Sequence, residues 1–503
     1  NLSIAVKRLE KEEALSPQDA RFLMAQTIFI SYLEHRGIVG EDYRKLNNIN
    51  KLKPMLEKQD KPGIVRLLTQ LRSDFNGDFL KTSGGINRWR SLSDNAIRNI
   101  NDFLSQVNIE TGQFDFWNYD FRYIPVEMLS GIYETFLSDR RRDVGAYYTP
   151  RHLAALTVEQ AFAQSPDILQ ETVYDGACGS GILLTTAFRR MLVAAEVDRG
   201  RALSFSDRCA LLTEHIFGSD LDESACQVTA FSLYLSLLEN LEPSDISLLT
   251  ESPEMTLPSL RGKNLFSGKN AGDFFSKRNP HSDSGRFSLF LCNPPWIEPK
   301  GGELLSSDIW ASREDIHLPR RNTAAAFMMH ARDSVREGAT ICLILPISVL
   351  MAPTSQQFAT EWVEAYSPKT IINFGDVRKL LFKDAKKPCM VVIATPRRRE
   401  VDNIHGKHDF FEYWTPKADL SLAFGRLTLH SVDRHRLPSR ILAENPQALV
   451  TLFWGTERDR ALLARLRLHG TLNDSIGGMQ NIHSRWRMHK GFHREDNSVK
   501  KLV

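Results

Sequence analysis

The spacing of apolar residues divides the chain into a helical first part and a second part of mixed character. Apolar positions recur at helical spacing over residues 20–33, and Gly37 is expected to end that helix. Shorter helical patterns surround residues 64–68 and 96–100, and another covers 125–137. We therefore expect an N-terminal helical domain over residues 1–137.

From Gly145 onward, short apolar runs alternate with helical patterns. The runs predict strands at 171–174, 216–219, 287–292, 339–345, 370–374 and 389–394. Helices are predicted between them, near 150–163, 180–196, 222–239, 322–336 and 355–365. This alternation is typical of an α/β fold in which a mainly parallel sheet carries helices on both faces. The stretch 242–286, with its Ser, Pro and Gly, is predicted to be a loop-rich insertion.

The last hundred residues have an irregular pattern. One more helix is predicted over residues 452–466, and a further module begins after Gly470 without being completed. The chain also starts at Asn1 rather than at a methionine. We therefore expect it to be a piece of a longer protein.

Composition narrows the class of protein. A chain of 503 residues should form two to four domains, and its 42% hydrophobic and 25% charged residues are ordinary for a soluble protein. No apolar run approaches the roughly 18 residues of a membrane span, and no signal peptide is recognisable. Six scattered cysteines without a C-x-x-C pair favour a reduced, cytoplasmic protein without a zinc site.

Charge gives only a modest indication of a partner. The net charge of +3 does not by itself indicate nucleic acid. Basic residues are nevertheless clustered at 140–142, 320–321, 397–399 and in the tail 485–501. Any one such cluster is usually a solvated surface, whereas four of them favour DNA or RNA.

The sequence Asn293-Pro294-Pro295-Trp296 directly follows the apolar run 287–292. A strand that ends in this way forms a rigid corner, because both prolines lack an N–H group and have a fixed φ. Asn293 and the Pro294 carbonyl can accept two hydrogen bonds from one amino group, and Trp296 offers a flat face to the ring that carries it. A simple turn is the alternative, since Pro-Pro often follows a strand for that reason alone.

A second motif, Asp175-Gly176-Ala177-Cys178-Gly179-Ser180-Gly181, lies between a predicted strand and a predicted helix. Gly179 and Gly181 allow a cofactor to approach the backbone, and the helix that follows offers free N–H groups. Asp220 ends the next strand, where it can take both hydroxyls of a ribose. Its alternative role is to cap the following helix.

Two further motifs complete the set. Gly272-Asp273-Phe274-Phe275 combines a carboxylate that can accept from an adenine amino group with aromatic rings that can stack on it. Gly145-Ala146-Tyr147-Tyr148-Thr149-Pro150 forms a turn that leads into a helix, with Pro150 near its first position.

Along the chain the five motifs are G-x-Y-Y-T-P, D-x-A-C-G-S-G, G-x-D, G-D-F and N-P-P-W. In this order they resemble those of the N6-adenine DNA methyltransferases, over about residues 125–400. The Tyr-Tyr-Thr-Pro sequence ahead of the glycine loop resembles the gamma-ordered group, which includes type I modification subunits and the methylase halves of type IIG enzymes. The resemblance implies a Rossmann-like methyltransferase sheet in a catalytic domain at 138–400. It also implies a linker and the beginning of a target-recognition domain at 401–503.

The resemblance also implies residue roles. The pocket for S-adenosyl-L-methionine would be lined by Asp175, Ala177, Gly179 and Gly181. Asp220 would hold the cofactor's ribose, and Asp273 and Phe274 would contact its adenine. Its methionine end would lie under Tyr148, Thr149 and Pro150. The target adenine would be received by the catalytic residues Asn293, Pro294, Pro295 and Trp296.

This sequence departs from the family pattern at two positions. Gly176 stands where many members have proline, and Trp296 where tyrosine is commoner. The first change softens the loop and the second keeps a stacking face. Phe382 is the one guess for a second aromatic residue that clamps the target base.

The implied function is methylation of the N6 amino group of a flipped-out adenine in double-stranded DNA, in a restriction–modification or related phage-defence system. A specificity subunit and a restriction nuclease subunit are the further partners it implies. Methylation of protein glutamine or of RNA bases stays open, because an amide NH₂ presents similar donors. A catalytically silent DNA-binding subunit is the other alternative. The sequence has no convincing Pro-Asp followed by Glu-x-Lys on predicted strands, so DNA cleavage would need another chain or a missing segment.

Overall fold

The structure, a computed structural model, describes residues 2–13, 15–74, 85–105, 149–239, 241, 257–381, 387–397, 409–421, 426–466 and 468. The chain forms two units, Asn1–Glu444 and Asn445–Val503. The first contains the sheet and every described residue of the predicted site. Among the helices described, none combines the length and apolar character that a membrane span requires.

A single sheet forms the centre of the first unit. Its strands are β1 (Val173–Asp175), β2 (Ile216–Asp220), β3 (Leu265–Ser267), β4 (Phe287–Cys292), β5 (Val335–Pro346), β6 (Tyr366–Asn373), β7 (Cys389–Pro396), β8 (Phe410–Trp414) and β9 (Arg434–Pro438). Across the described part of the sheet their order is β3-β2-β1-β4-β5-β7-β6-β8-β9. Strands β1 to β5 pair in parallel, whereas β7 is antiparallel to both β5 and β6.

The strand order reverses at β1. The chain moves outward from β1 to β2 and β3 on one side, and then resumes with β4 and β5 on the other. Tyr174 of β1 is paired with Phe217 of β2 and with Phe290 of β4. The segments that follow these strands therefore leave the sheet at one edge and on either side of a switch point, which is where open α/β sheets bind ligands.

The six predicted strands and the five predicted helices of this unit are confirmed. The helices are Arg151–Phe162, Ile182–Arg199, Glu223–Leu238, Thr323–Ser334 and Gln356–Ala365. Strand β4 illustrates why they could be predicted, because all six of its residues are buried and it reads as a continuous apolar run. Shorter helices span Gly268–Ala271, Ser306–Arg313, Ser348–Met351, Arg378–Leu381 and Arg440–Glu444.

Three strands, the five shorter helices and the longer helix Phe205–His215 were not predicted from the sequence. Strand β3 lies inside the predicted loop-rich insertion, and its three residues are too few to show a period. Strands β8 and β9 extend the sheet beyond residue 400, into the stretch expected to hold a linker and the start of a target-recognition domain. The helix Phe205–His215 begins with a capping box formed by Ser204 and Asp207.

The N-terminal block is helical, as predicted. Its helices are Leu2–Glu12, Pro17–His35, Glu41–Leu46, Leu52–Glu57, Lys61–Asp74, Gly85–Ser91 and Asp94–Leu104. The helix predicted to end at Gly37 ends at His35, and Gly37 follows with a positive φ of 77°. Phe29 of this block contacts Phe231, with ring centroids 5.2 Å apart, so the block packs on the helix that follows β2. The helix predicted over 125–137 lies outside the described residues.

In the second unit, the prediction of a single helix over 452–466 is wrong. Two helices, Gln447–Trp454 and Glu457–Leu466, are separated at Gly455 and Thr456. The N–H group of Thr456 donates to the Asp459 carboxylate at 2.7 Å, which starts the second helix. Residues 455–460, Gly-Thr-Glu-Arg-Asp-Arg, contain no apolar position, so the break had a signal in the sequence that the prediction missed.

Arg208 is a buried charge near the sheet. Its side chain is 5% exposed and pairs with Glu196 at 3.0 Å. Its guanidinium also donates to the carbonyls of Glu239 at 2.6 Å and Leu203 at 3.3 Å. The bond to Glu239 satisfies a carbonyl at the end of helix Glu223–Leu238, where the last carbonyls lack partners within the helix.

We expect Arg208→Met to lower the free energy of unfolding by roughly 3 kcal/mol, because it leaves buried carbonyls unsatisfied. Arg190→Met is the matched control. Arg190 makes a 3.0 Å ion pair with Glu159 at the surface, and its loss should change stability by less than about 1 kcal/mol. Urea unfolding of both variants measures this, and equal effects would contradict the role given to Arg208.

Candidate active site

The glycine loop after β1 is held against the end of β2. The N–H group of Cys178 donates to the Ser219 carbonyl at 3.0 Å. The N–H group of Gly179 donates to Asp220 Oδ2 at 2.8 Å, and Asp220 Oδ1 accepts from the Asp222 N–H at 2.8 Å. Both carboxylate oxygens of Asp220 therefore hold backbone N–H groups of the segments on either side of it.

Backbone conformation makes this loop accessible. Gly179 has a φ of 57°, and a Cβ built there would meet no atom within 4 Å. Gly181 has a φ of 80° and forms the N-cap of helix Ile182–Arg199. Left-handed φ favours glycine at both positions, and the open space at Gly179 allows a ligand to reach the backbone. The helix N-terminus that follows favours negative charge.

Asp175 connects the ends of β1 and β4. Its side chain is buried, and Oδ1 accepts from the Ala177 N–H at 3.0 Å. Burial raises the pKa of Asp175 to about 7, although hydrogen bonds from the Cys292 thiol and the Ala177 N–H oppose the shift. Asp175 therefore gains and loses a proton near neutral pH.

Asn293 meets the Tyr-Tyr-Thr-Pro motif. Its amide nitrogen donates to Thr149 Oγ1 at 2.8 Å, across 144 positions of sequence. Thr149 is buried, and Pro150 forms the N-cap of helix Arg151–Phe162. This bond fixes the orientation of the Asn293 amide. Tyr148, its expected neighbour, lies outside the described residues.

Trp296 is more enclosed than a stacking role suggests. Its side chain is 4% exposed, and the indole N–H donates to the Ile344 carbonyl of β5 at 3.4 Å. Pro294 is buried, and Pro295 is partly exposed. Stacking of Trp296 on a target base stays a prediction. Phe382, the other aromatic candidate, lies outside the described residues.

The loop after Trp296 is anchored by charged residues that sequence reasoning did not assign to the site. Glu298 pairs with Lys387 at 2.6 Å and lies 3.9 Å from Arg320. Arg321 binds both oxygens of Asp308, at 2.6 and 3.0 Å. The sequence showed Arg320 and Arg321 only as a pair of basic residues. In the structure Arg321 is bound to Asp308, whereas the Arg320 side chain is 62% exposed.

The other basic clusters have different outcomes. Arg397 is 7% exposed and pairs with Asp409, so this residue is structural rather than available to a nucleic acid. Its neighbours 398–399, the cluster 140–142 and the tail 485–501 lie outside the described residues.

The third loop lies close to β2. A Cβ on Gly272 would be 2.1 Å from the Asp220 carbonyl oxygen, so only glycine fits here. Asp273 Oδ1 accepts from the Phe275 N–H at 3.0 Å and from Ser306 Oγ at 3.3 Å.

Phe274, expected beside an adenine, is 2% exposed. It stacks on Phe327, with ring centroids 4.6 Å apart. A Cβ on Gly176 would lie 2.8 Å from its ring. The ring is thus beneath the glycine loop, in the core, and an adenine contact by Phe274 stays a prediction. Phe275, which is partly exposed, is its neighbour.

The strand order and the glycine loop at the carboxyl edge define a Rossmann-like methyltransferase fold. Residues 126–405 match the model of the N-6 DNA methylase family, and the chain belongs to that family. The predicted fold class and family are therefore confirmed.

Named relatives agree with this assignment. The chain is 26% identical over 387 residues to the type II restriction enzyme and methyltransferase RM.Eco57I of Escherichia coli, covering 67% of this chain and 38% of that protein. It is 23% identical over 314 residues to the putative type II restriction enzyme and methyltransferase RM.MjaORFECS2P of Methanocaldococcus jannaschii, covering 48% and 26%. The chain thus spans well under half the length of these curated relatives.

Two solved structures share the fold. The type I restriction-modification system methyltransferase subunit from Streptococcus thermophilus matches with a TM-score of 0.51 and 14% identity, over 90% of this chain and 99% of that one. The type IIG restriction endonuclease BpuSI matches with a TM-score of 0.53 and 15% identity, over 94% and 48%. At such identities the likeness concerns the fold alone.

The raised pKa of Asp175 gives a pH prediction. The folded state keeps the proton up to about pH 7, whereas the unfolded chain loses it near pH 4. The folded state therefore binds more protons between these values, and the contribution of Asp175 to stability falls as pH rises through that window.

Asp175→Asn should remove this dependence while keeping an acceptor for the Ala177 N–H. We expect the parent's free energy of unfolding, minus that of the variant, to decrease from about pH 4 to about pH 7. Urea unfolding at several pH values measures the difference. A constant difference would show that folding leaves the pKa of Asp175 unshifted.

Proposed function

We propose that this chain is a site-specific DNA methyltransferase that modifies the N6 amino group of adenine, with S-adenosylmethionine as its methyl donor. The observation that carries the proposal is Asn293, which sits at the end of β4 with its amide oriented by Thr149. It shares the switch-point edge with the glycine loop and Asp220.

The residues of this edge fit S-adenosylmethionine. The Asp220 carboxylate suits a ribose diol and Asp273 suits an adenine amino group, because carboxylates accept hydrogen bonds from both. The open space at Gly179 admits a ligand to the loop. Asp175 and Ala177 hold the loop's first turn. Thr149 and Pro150, at the start of helix Arg151–Phe162, meet the site through the Asn293 amide. When bound, the cofactor supplies an activated methyl group on a sulfonium.

The proposed work of the corner is to bind and orient the adenine amino group. Its nitrogen is a poor nucleophile, because its lone pair is delocalised into the ring. Asn293 Oδ1 and the Pro294 carbonyl accept its two hydrogens and favour a more electron-rich nitrogen. Thr149 binds the amide nitrogen, so the amide oxygen is the group set to accept. Pro294 and Pro295 lack N–H groups that would compete.

Alignment is the main contribution to rate. Holding reactants in place can supply about 7–11 kcal/mol of the barrier at best. The adenine must leave the duplex to reach the corner, which costs a few kcal/mol. The product proton passes to solvent, and no dedicated base is required.

Partners follow from the same proposal. Double-stranded DNA is the substrate, and the activity belongs in the cytoplasm where that DNA lies. The chain spans 38% of RM.Eco57I, whose name combines restriction enzyme and methyltransferase. We therefore propose that a restriction nuclease and a specificity subunit, or segments with those functions, act together with this chain.

The proposed domain division keeps 1–137 as the helical domain and 138–400 as the catalytic domain. It assigns 401–503 to the start of target recognition, with β8 and β9 as added strands of the sheet.

The test combines two experiments. Long-read sequencing of DNA from cells that express the chain reads the modified sequence directly from the methylated bases. The purified chain is then incubated with labelled S-adenosylmethionine and with DNA, RNA or a glutamine-bearing protein. Transfer to adenine N6 in DNA is expected. Transfer to RNA or to glutamine alone would favour those alternatives, and cofactor binding without transfer would favour a silent subunit.

Asn293→Ala should lower the rate of methyl transfer by about a hundredfold or more, because it removes an acceptor used at the reacting nitrogen. Cofactor affinity, measured by calorimetry, should be largely retained. Asp220→Ala is the reciprocal control, since it should weaken cofactor binding first. Equal loss of binding and transfer in Asn293→Ala would contradict the role given to Asn293.

A further inference from the structure

A buried hydrogen-bond network lies beneath the loops that follow β1, β2 and β3. It joins Tyr174, Ser219 and Asn279, which are 0%, 0% and 3% exposed. The Tyr174 hydroxyl lies 2.7 Å from Ser219 Oγ. The amide nitrogen of Asn279 lies 3.2 Å from Ser219 Oγ and 3.3 Å from the Asp273 carbonyl.

Donors and acceptors in this network form one consistent set. Ser219 Oγ donates to the Gly176 carbonyl at 3.4 Å, so the Tyr174 hydroxyl donates to Ser219. The Asn279 amide nitrogen can only donate, and its Oδ1 accepts from the His281 N–H at 2.9 Å. The network therefore connects two loop carbonyls, at Gly176 and Asp273, through the strand that ends in Asp220.

Each of these loops carries a residue of the proposed cofactor site. Asp273 is proposed for the adenine, Asp220 for the ribose, and Gly179 lies in the loop that begins at Gly176. Asn279 bonds both the carbonyl of Asp273 and the side chain adjacent to Asp220. Its side chain thereby ties the backbone of Asp273 to the end of the strand that carries Asp220.

We propose that Asn279 is a positioning residue that sets affinity for the adenosine half of the cofactor. The inference rests on the proposed function of the site. The core around this network is aromatic. Tyr174 stacks on Phe287 with ring centroids 4.7 Å apart and makes an edge contact with His281 at 5.4 Å. Polar groups in such a core must be fully bonded to avoid a large desolvation penalty. A purely structural role would affect stability without changing cofactor affinity.

Asn264 provides a matched control beside the same strand. It is 4% exposed, and its amide nitrogen donates to the carbonyls of Thr213 at 2.8 Å and Ile216 at 2.9 Å. These bonds lie at the amino end of β2, away from the edge that carries Asp220. Asn264→Leu and Asn279→Leu thus remove the same buried amide from opposite ends of one strand.

The experiment uses the full chain and measures calorimetric affinity for S-adenosylmethionine and for 5′-methylthioadenosine, which lacks the amino-acid part. Asn279→Leu should weaken both by about tenfold or more, as expected when a buried polar network loses its donor. Asn264→Leu should lower the melting temperature to a similar extent and leave both affinities nearly unchanged. At saturating cofactor, Asn279→Leu should methylate DNA at the parental rate.

Tyr174→Phe removes one hydroxyl and keeps the ring, so it tests the network if Asn279→Leu does not fold. It should lower the affinity for both ligands several-fold. Unchanged affinity in Asn279→Leu, or in Tyr174→Phe where that variant stands in, would overturn the proposal. Equal losses of cofactor affinity in Asn279→Leu and Asn264→Leu would overturn it too. A parent chain that binds neither ligand would instead reject the proposed function.

Discussion

The parallel pairing of β1 with both β2 and β4 is the constraint on which the site depends. Because Tyr174 is paired with Phe217 on one side and Phe290 on the other, three separate segments leave the sheet at one edge. They carry the glycine loop, Asp220 and Asn293. A shift of register by one residue would turn the side chains of β1 to the opposite face, and the buried pairing of Asp175 with Cys292 would be lost together with the corner.

The polar groups at this edge are already held by the protein. The Asn293 amide is bound by Thr149, Asp220 by the Gly179 N–H, and Asp273 by Ser306. Such bonds reduce the conformational freedom that a ligand would otherwise have to remove, and this is the usual way in which a rigid scaffold gains affinity. The indole of Trp296 is likewise hydrogen-bonded to β5, which ties the corner to the neighbouring strand.

Sequence reasoning succeeded where a signal is local. Strand β4 is a continuous buried run, and motifs at strand ends must share an edge in a parallel sheet, so the position of Asn293 relative to Asp220 could be predicted. It failed for β3, which is too short to show a period, and for β9, where Arg434 and Arg436 are exposed. It also could not foresee the burial of Phe274 or the bonds of Asn279, because these depend on contacts between residues far apart in the chain.

The closeness of Gly176 and Phe274 has a consequence for how this chain can change. The Phe274 ring occupies the volume that any larger residue at 176 would need. A proline introduced at 176 alone would therefore collide with this ring. Residues 176 and 274 behave as one steric unit, and their substitutions, whether in natural divergence or by engineering, have to be made as a compensating pair.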